Sequence, residues 1–154
     1  MGSALEKGAP VAEPFVHRIR IRYGECDPQG VVFNAHYLAY VDDAISAMWR
    51  AAFGSYQVML DRGVDIVVAE AQLRFLDAAR FDEDIEIEAA VTHLGTTSMR
   101  TVYRFLHDGK LLLTASLRHV FVQEGSSSKT PIPDWARAGL EQWLAPELDP
   151  AATA

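Results

Sequence analysis

A long helical pattern limits the folds open to this chain more than any other feature. Apolar residues recur at the spacing of one helical face over residues 37–53. They are Tyr37, Tyr40, Val41, Ala44, Ile45, Met48, Trp49, Ala52 and Phe53. Asn34 precedes this stripe as a preferred N-cap residue, and Gly54 follows it as a stop signal. A stripe this wide must be buried, so the chain needs a large apolar surface to cover it.

Alternating segments elsewhere in the chain predict that surface. Residues 16–23 place Ile19, Ile21 and Tyr23 on one face and arginines on the other, which is typical of a half-buried strand. Beyond Gly63 the same period of two returns in further runs: 67–75, 85–91, 99–105 and 111–123.

Turn and helix signals complete the pattern. Asp108–Gly109 predicts a tight hairpin because both positions must accept positive φ. Short helices are expected over residues 56–62 and after Asp134, a candidate cap. We predict an α+β fold in which an antiparallel sheet of about five strands wraps around one long central helix.

The length of 154 residues fits one domain. We assign residues 15–145 to that domain. Residues 1–14 are interpreted as a tail that is disordered or was added for expression, and residues 146–154 as a flexible C-terminal tail.

Charge and composition exclude several functions. The net charge of −7 argues against nucleic acid as a partner. No apolar run approaches the roughly 20 residues of a membrane span. A single cysteine argues against internal disulfides and suits a reducing compartment, and the first residues lack a secretory pattern. We therefore expect a cytoplasmic protein, and the histidines lack the spacing of metal ligands.

An acidic turn precedes the helical stripe and is the strongest candidate site. It reads Glu25-Cys26-Asp27-Pro28-Gln29-Gly30. A carboxylate on a turn fixed by Pro and Gly would lie near the positive end of the helix, where free amides can stabilise negative charge. Asp27 also has a simpler interpretation, since aspartate often only starts a turn. The spacing alone leaves both interpretations open.

Three motifs resemble those of the hotdog-fold acyl-CoA thioesterases, in the branch related to 4-hydroxybenzoyl-CoA thioesterase. Residues 23–33, followed by His36-Tyr37, are similar to the signature ahead of that family's central helix. Residues 75–82 are similar to its corner between strands, and residues 94–98 to its Gly-Thr/Ser loop. The order of elements agrees over residues 16–122.

The resemblance implies hydrolysis of an acyl-CoA thioester at a site between two subunits of a homodimer or tetramer. Asp27 would be the catalytic carboxylate, attacking the carbonyl directly or deprotonating a water molecule, and both routes stay open. A backbone amide near Asn34 would polarise the thioester carbonyl. No cofactor is implied.

The remaining candidates would contact the substrate. Many relatives carry His at the position of Asn34 and Asn at that of His36, so the two types are exchanged here. His36 would orient substrate or water, assist Asp27, or simply pack against the sheet. The expected substrate-binding residues are Gly30, Val31, Phe33, Tyr37, Thr96, Thr97 and Ser98. Tyr37 has core packing as its alternative. The loop lacks the arginine pair that some relatives use to hold the nucleotide, so acyl carrier protein stays open as a carrier beside CoA.

Two other functions fit the same residues. A hotdog dehydratase acting on hydroxyacyl thioesters would pair His36 with an acid. A non-catalytic acyl-thioester-binding protein would keep the fold and use Asp27 only to close its turn. Cys26 is interpreted as a small buried residue. Asp42 is interpreted as solvated or interface-facing, with contact to a polar acyl group as its alternative.

Overall fold

A computed structural model describes residues 13–150 as one sheet with helices. The strands are β1 (Phe15–Arg20), β2 (Val64–Phe75), β3 (Asp84–Leu94), β4 (Ser98–His107) and β5 (Lys110–Gln123). The helices are α1 (His36–Phe53), α2 (Gln57–Asp61) and α3 (Asp134–Leu140). Single 3-10 turns lie at Tyr23–Glu25, Glu141–Trp143 and Pro146–Leu148. The predicted order of strands and helices is confirmed.

The five strands form one antiparallel sheet in the order β1-β3-β4-β5-β2. The predicted hairpin joins β4 to β5, with positive φ at Asp108 and Gly109. β1 and β2 are therefore the two edge strands. The longer edge, β2, keeps most of its middle exposed and shows a bulge between Val68 and Glu70.

The core lies between α1 and one face of the sheet. The 18-residue α1 buries the predicted stripe, and Val41, Ala44, Met48 and Trp49 have no exposed surface. The facing strand positions are equally buried: Ile85, Ile87, Met99, Tyr103, Phe105, Leu113 and Phe121. Alternation along each strand thus selects the face that meets the helix.

The first strand ends earlier than the alternation predicts. β1 stops at Arg20, and Tyr23 lies in a 3-10 turn with 81% of its surface exposed. The chain turns here because the Glu25 carboxylate accepts a hydrogen bond from the Arg22 N–H at 2.7 Å. The interpretation of Tyr23 as a strand residue is therefore wrong.

Gly54 ends α1 as predicted, but both predicted N-caps are wrong. α1 begins at His36, and Ala35 is its N-cap with no side-chain hydrogen bond, so Asn34 does not cap the helix. A preceding turn displaces the start, since the His36 N–H bonds the Phe33 carbonyl at 2.9 Å. Asp134 is likewise the first residue of α3, and Pro133 is its N-cap.

The folded domain extends further towards the C-terminus than predicted. The sequence predicts a flexible tail from residue 146 onward, but Pro146–Leu148 form a 3-10 turn and Asp149 is buried. Its carboxylate pairs with Arg100 of β4 at 3.1 Å. The other predicted tail residues, 1–12 and 151–154, lie outside the described residues.

Candidate active site

The acidic turn is a miniature hairpin that is tied to the sheet. Cys26 forms a bridge with Val32, and the Asp27 N–H donates to the Val31 carbonyl at 2.8 Å. The Gly30 N–H bonds the Asp27 carbonyl at 2.9 Å, and Gly30 has φ +77°, which a residue with a side chain rarely adopts. The Val32 N–H reaches the Ala79 carbonyl at 2.9 Å. The turn is therefore fixed beside the entry to β3.

Asp27 itself is half-buried and helps to form this turn. Its Oδ1 accepts a hydrogen bond from the Gln29 N–H at 2.8 Å. This contact is the turn-starting role that aspartate often has. The second oxygen, Oδ2, accepts no hydrogen bond from the described residues. One oxygen thus holds the turn while the other is available to a substrate or water.

The start of α1 provides free amides close to this turn in the chain. The N–H groups of Asn34 and Ala35 donate no hydrogen bond within residues 13–150. The next two are engaged, because His36 N–H bonds Phe33 and Tyr37 N–H bonds the Asn34 carbonyl at 3.4 Å. Free amides at a helix start are suited to stabilising an oxyanion.

His36 lines a large cavity. Its ring contacts those of Phe33 and Tyr40, with centroids 6.1 and 6.5 Å apart. The cavity has a volume of about 870 Å³ and lies between β1, the 3-10 turn and α1; Arg20, Glu25 and Asp43 line it, but Asp27 does not. No hydrogen bond joins His36 to Asp27 within the described part of the chain.

Glu25 has a structural role in this region. Burial alone would raise the pKa of Glu25, but hydrogen bonds from the Arg22 N–H and guanidinium outweigh it and lower the pKa. The neighbouring Tyr40 hydroxyl is buried without a hydrogen bond of good geometry. Burial, followed by the nearby Glu25 carboxylate, raises the pKa of Tyr40, so this phenol stays protonated.

The predicted substrate-binding residues between Gly30 and Tyr37 differ in their exposure. Phe33 is 49% exposed, Gly30 is exposed and Val31 is half-buried. Tyr37 is only 3% exposed, and its hydroxyl accepts a hydrogen bond from the Ala79 N–H at 3.0 Å. Tyr37 therefore follows its alternative interpretation as a core residue within the single chain.

The Thr96-Thr97-Ser98 loop lies at the opposite end of the sheet from Asp27. The acidic turn adjoins the start of β3, whereas this loop follows the end of β3, and an 11-residue strand spans about 35 Å. The loop is held by Arg137, whose guanidinium bonds the Leu94 and Gly95 carbonyls at 3.1 and 2.7 Å. A single chain does not bring the two candidate groups together.

A second cavity lies under the middle of α1, and the sequence analysis missed it. This polar cavity has a volume of about 260 Å³. It is lined by Asp42, Ile45, Ser46, Trp49, Tyr56, Ile66, Val68 and His119. His119 alternates with Leu117 and Phe121 on the buried face of β5, so a histidine at an apolar position was the available signal.

Residues 13–150 contain neither a metal-binding cluster nor a helix that could span a membrane. They hold no group of three or more His, Cys, Asp or Glu side chains placed to bind a metal ion. None of their helices is both long and apolar enough to cross a membrane.

Comparison with known proteins identifies the family. The model of the thioesterase-like superfamily matches residues 21–140, most of the chain. The chain therefore belongs to the thioesterase-like superfamily, and the predicted kinship with hotdog thioesterases is confirmed.

Named relatives and solved structures agree with that placement. The 1,4-dihydroxy-2-naphthoyl-CoA hydrolase of Synechococcus elongatus is 28% identical over 80% of this chain and 90% of its own. The acyl-CoA thioester hydrolase YbgC of Escherichia coli O157:H7 is 30% identical over 62% of this chain and 71% of its own. A crystal structure of hypothetical protein TT1821 from Thermus thermophilus has a TM-score of 0.76 at 32% identity, covering 83% of this chain and 98% of that one.

Proposed function

We propose that this protein hydrolyses an acyl-CoA thioester to the free acid and CoA. Asp27 acts as nucleophile or general base, and the start of α1 polarises the thioester carbonyl. One observation carries this proposal. Asp27 is fixed by a single carboxylate oxygen on a turn that leads into the unbonded amides of Asn34 and Ala35. Membership of the thioesterase-like superfamily supports the same reaction.

The chemistry needs only these groups. In one route an Asp27 oxygen attacks the carbonyl carbon, and the C–S bond breaks to give a mixed anhydride and CoA thiolate, which takes up a proton. Water then hydrolyses the anhydride. In the other route Asp27 removes a proton from water as that water attacks the carbonyl carbon; the C–S bond then breaks, and the CoA thiolate leaves and takes up the proton. In both routes negative charge develops on the carbonyl oxygen, where the Asn34 and Ala35 amides can stabilise it.

We propose further that two chains form the site by pairing their β2 edges around α1 as the central helix. β2 presents Val67, Val68 and Phe75, all about half exposed, on an unpaired edge. A twofold axis normal to the sheet pairs identical edges antiparallel. The acidic turn of one copy would then approach the opposite end of its partner's sheet, where Thr96, Thr97 and Ser98 lie. This arrangement would join the two groups that a single chain separates.

The variant Asp27→Asn tests the catalytic assignment. Asparagine retains a side-chain oxygen for the Gln29 N–H, so the turn and the melting temperature should stay unchanged. Thiol release from a panel of acyl-CoAs should fall by about 10²–10⁴-fold, because the amide neither attacks well nor accepts a proton. The matched variant Asp61→Asn changes an exposed carboxylate at the end of α2 and should retain full activity.

The same panel separates the competing functions. Loss of water from a hydroxyacyl-CoA without thiol release would indicate a dehydratase. Tight binding without either reaction would indicate a binding protein. An equally active Asp27→Asn variant would rule out the proposed role of this carboxylate, whereas faster turnover of acyl carrier protein than of CoA thioesters would change only the carrier.

A further inference from the structure

Residues 132–137 hold the loop that joins β3 to β4, and we call them the anchoring segment. Arg137 of α3 donates from its guanidinium to the Gly95 carbonyl at 2.7 Å. The Ile132 N–H donates to the next carbonyl of the loop, that of Thr96, at 2.8 Å. Two successive peptide units of the loop are therefore bonded by the same short segment.

Arg137 is itself firmly supported. Its neighbours Ala136 and Leu140 on α3 have no exposed surface, so the helix cannot shift without opening the core. The half-buried Arg137 side chain forms no ion pair with the described residues. Its guanidinium instead bonds the Leu94 and Gly95 carbonyls together. The planar fork of an arginine holds two acceptors in a fixed geometry, so this side chain sets the shape of the loop.

Bonds to the carbonyls fix the direction of the amides that follow them. A trans peptide unit is planar, so its C=O and N–H groups point in opposite directions. The Gly95 and Thr96 carbonyls point at the anchoring segment, so the N–H groups of Thr96 and Thr97 point away from it. Neither N–H donates a hydrogen bond within residues 13–150. Thr96 is exposed and Thr97 is half-buried, so two adjacent donors are open to a ligand.

We propose that Arg137 is a positioning residue for the carrier arm of the thioester, because it orients the amides of Thr96 and Thr97 towards oxygen acceptors of that arm. Amide donors suit phosphate oxygens and amide carbonyl oxygens, and the arm of CoA contains both. The loop has this shape before the substrate arrives, so little free energy is lost in ordering it on binding.

This inference rests on the proposed function and on the pairing of β2 edges. The loop lies at the opposite end of the sheet from Asp27 of the same chain, so it would hold the carrier while the acidic turn of the partner meets the carbonyl. Contacts so far from the reacting atoms are the same in the ground state and the transition state. Their loss raises KM and leaves kcat unchanged.

A pair of substrates tests this role. The first is an acyl-CoA that wild type hydrolyses, and the second is the N-acetylcysteamine thioester of the same acid, whose short arm ends before the loop. Arg137→Met should raise KM for the acyl-CoA by about tenfold, the effect of one lost hydrogen bond, at unchanged kcat. It should leave kcat/KM for the short thioester unchanged. Equal losses with both substrates would indicate a general structural defect and overturn the proposal.

Two further variants control for the stability of α3. Arg62→Met changes an arginine that contacts α3 through the Trp135 ring, at 4.7 Å from its centroid, and should affect neither substrate. Arg137→Lys keeps the charge but lacks the fork, so it should raise KM for the acyl-CoA by a smaller factor, and it replaces Arg137→Met if that variant does not fold. An equal rise in KM with Arg62→Met would attribute the effect to a loosened helix and overturn the proposal.

A binding experiment needs no turnover. CoA should shift the assigned NMR signals of the Thr96 and Thr97 amides, and its Kd should rise by about tenfold in Arg137→Met. Pantetheine has the amide carbonyls of the arm but no phosphate. Shifts of the same signals by pantetheine would identify carbonyl acceptors, and shifts by CoA alone would identify phosphates. CoA that shifts neither signal, or that binds both proteins equally, would overturn the proposal.

The experiments separate this inference from the function on which it rests. Hydrolysis with a KM that does not respond to Arg137→Met would remove only the positioning role. CoA binding that depends on Arg137, in a protein that hydrolyses none of the acyl-CoAs, would support the positioning role and reject the thioesterase proposal.

Discussion

Asp27 has a structural role in its turn that is compatible with the catalytic role proposed for it. Its Oδ1 holds the Gln29 N–H, which is the role expected of any aspartate in a turn. That bond also fixes the side-chain rotamer, so the second oxygen has a defined direction before substrate arrives. Preorganisation of this kind is what a carboxylate catalyst needs. The structural and the catalytic interpretations of this residue are therefore compatible.

Buried His119 should make the folded chain sensitive to acid. Its pKa is about 4 in the folded state against 6.5 in the unfolded state, so the unfolded chain binds more protons between these values. Stability therefore falls as pH falls through 6.5. Between pH 7 and pH 5, wild type should lose about 2 kcal/mol of unfolding free energy relative to His119→Phe. Urea unfolding at the two pH values measures this difference, and parallel losses in both proteins would contradict it.

His107 should have the opposite dependence on pH. Its hydrogen bond to the Asp84 carbonyl is the main cause that raises its pKa, and Glu83 adds to the rise. A raised pKa stabilises the fold fully below 6.5, and the gain is lost as pH rises through the higher folded value. Wild type should exceed His107→Gln in stability at pH 5.5, and the difference should shrink by pH 8.5. Urea unfolding checks this, and a pH-independent difference would exclude the protonated histidine as its source.

At the scale of elements, Gly139 allows α3 to pack closely against the C-terminal end of α1. A Cβ at Gly139 would overlap Cε1 of Phe53, whose ring packs against Trp49 and Trp135. Alanine normally stabilises a helix by about 1 kcal/mol over glycine. Here overpacking at about 1–3 kcal/mol should prevail, so Gly139→Ala should lower the melting temperature.

A second substitution separates packing from helix propensity. Phe53→Leu shortens the side chain that meets the new methyl group, so the double variant Phe53→Leu/Gly139→Ala should be more stable than the sum of the two single effects predicts. Thermal melts of all four proteins complete the cycle. Strict additivity would show that Phe53 is not the obstacle.

At the scale of the whole molecule, the proposed two-chain site depends on pairing of the β2 edges. Lysine on a paired edge would bury an unpaired charge, so Val68→Lys should convert a dimer into 17.0-kDa monomers and abolish thiol release. Val16→Lys makes the same change at the other edge strand, β1, and should stay dimeric and active. Sedimentation equilibrium distinguishes the two. A monomeric wild type with full activity would contradict the two-chain site.

The sequence by itself determined the local structure. The apolar stripe from Tyr37 to Phe53 became α1, and the alternating segments became the strands, because side-chain periodicity fixes which face of an element can be buried. The Asp108–Gly109 turn followed from backbone sterics in the same local way.

Only the tertiary structure decided the start of α1 and the placement of the site residues. Ala35 became the N-cap because a turn from Phe33 competes with the Asn34 side chain, a balance that residue preferences do not contain. The distance of Thr96–Ser98 from Asp27, and the meeting of His119 with Trp49 in one cavity, depend on strand order. Strand order arises from contacts between residues far apart in the chain, whereas a periodic pattern records only near neighbours.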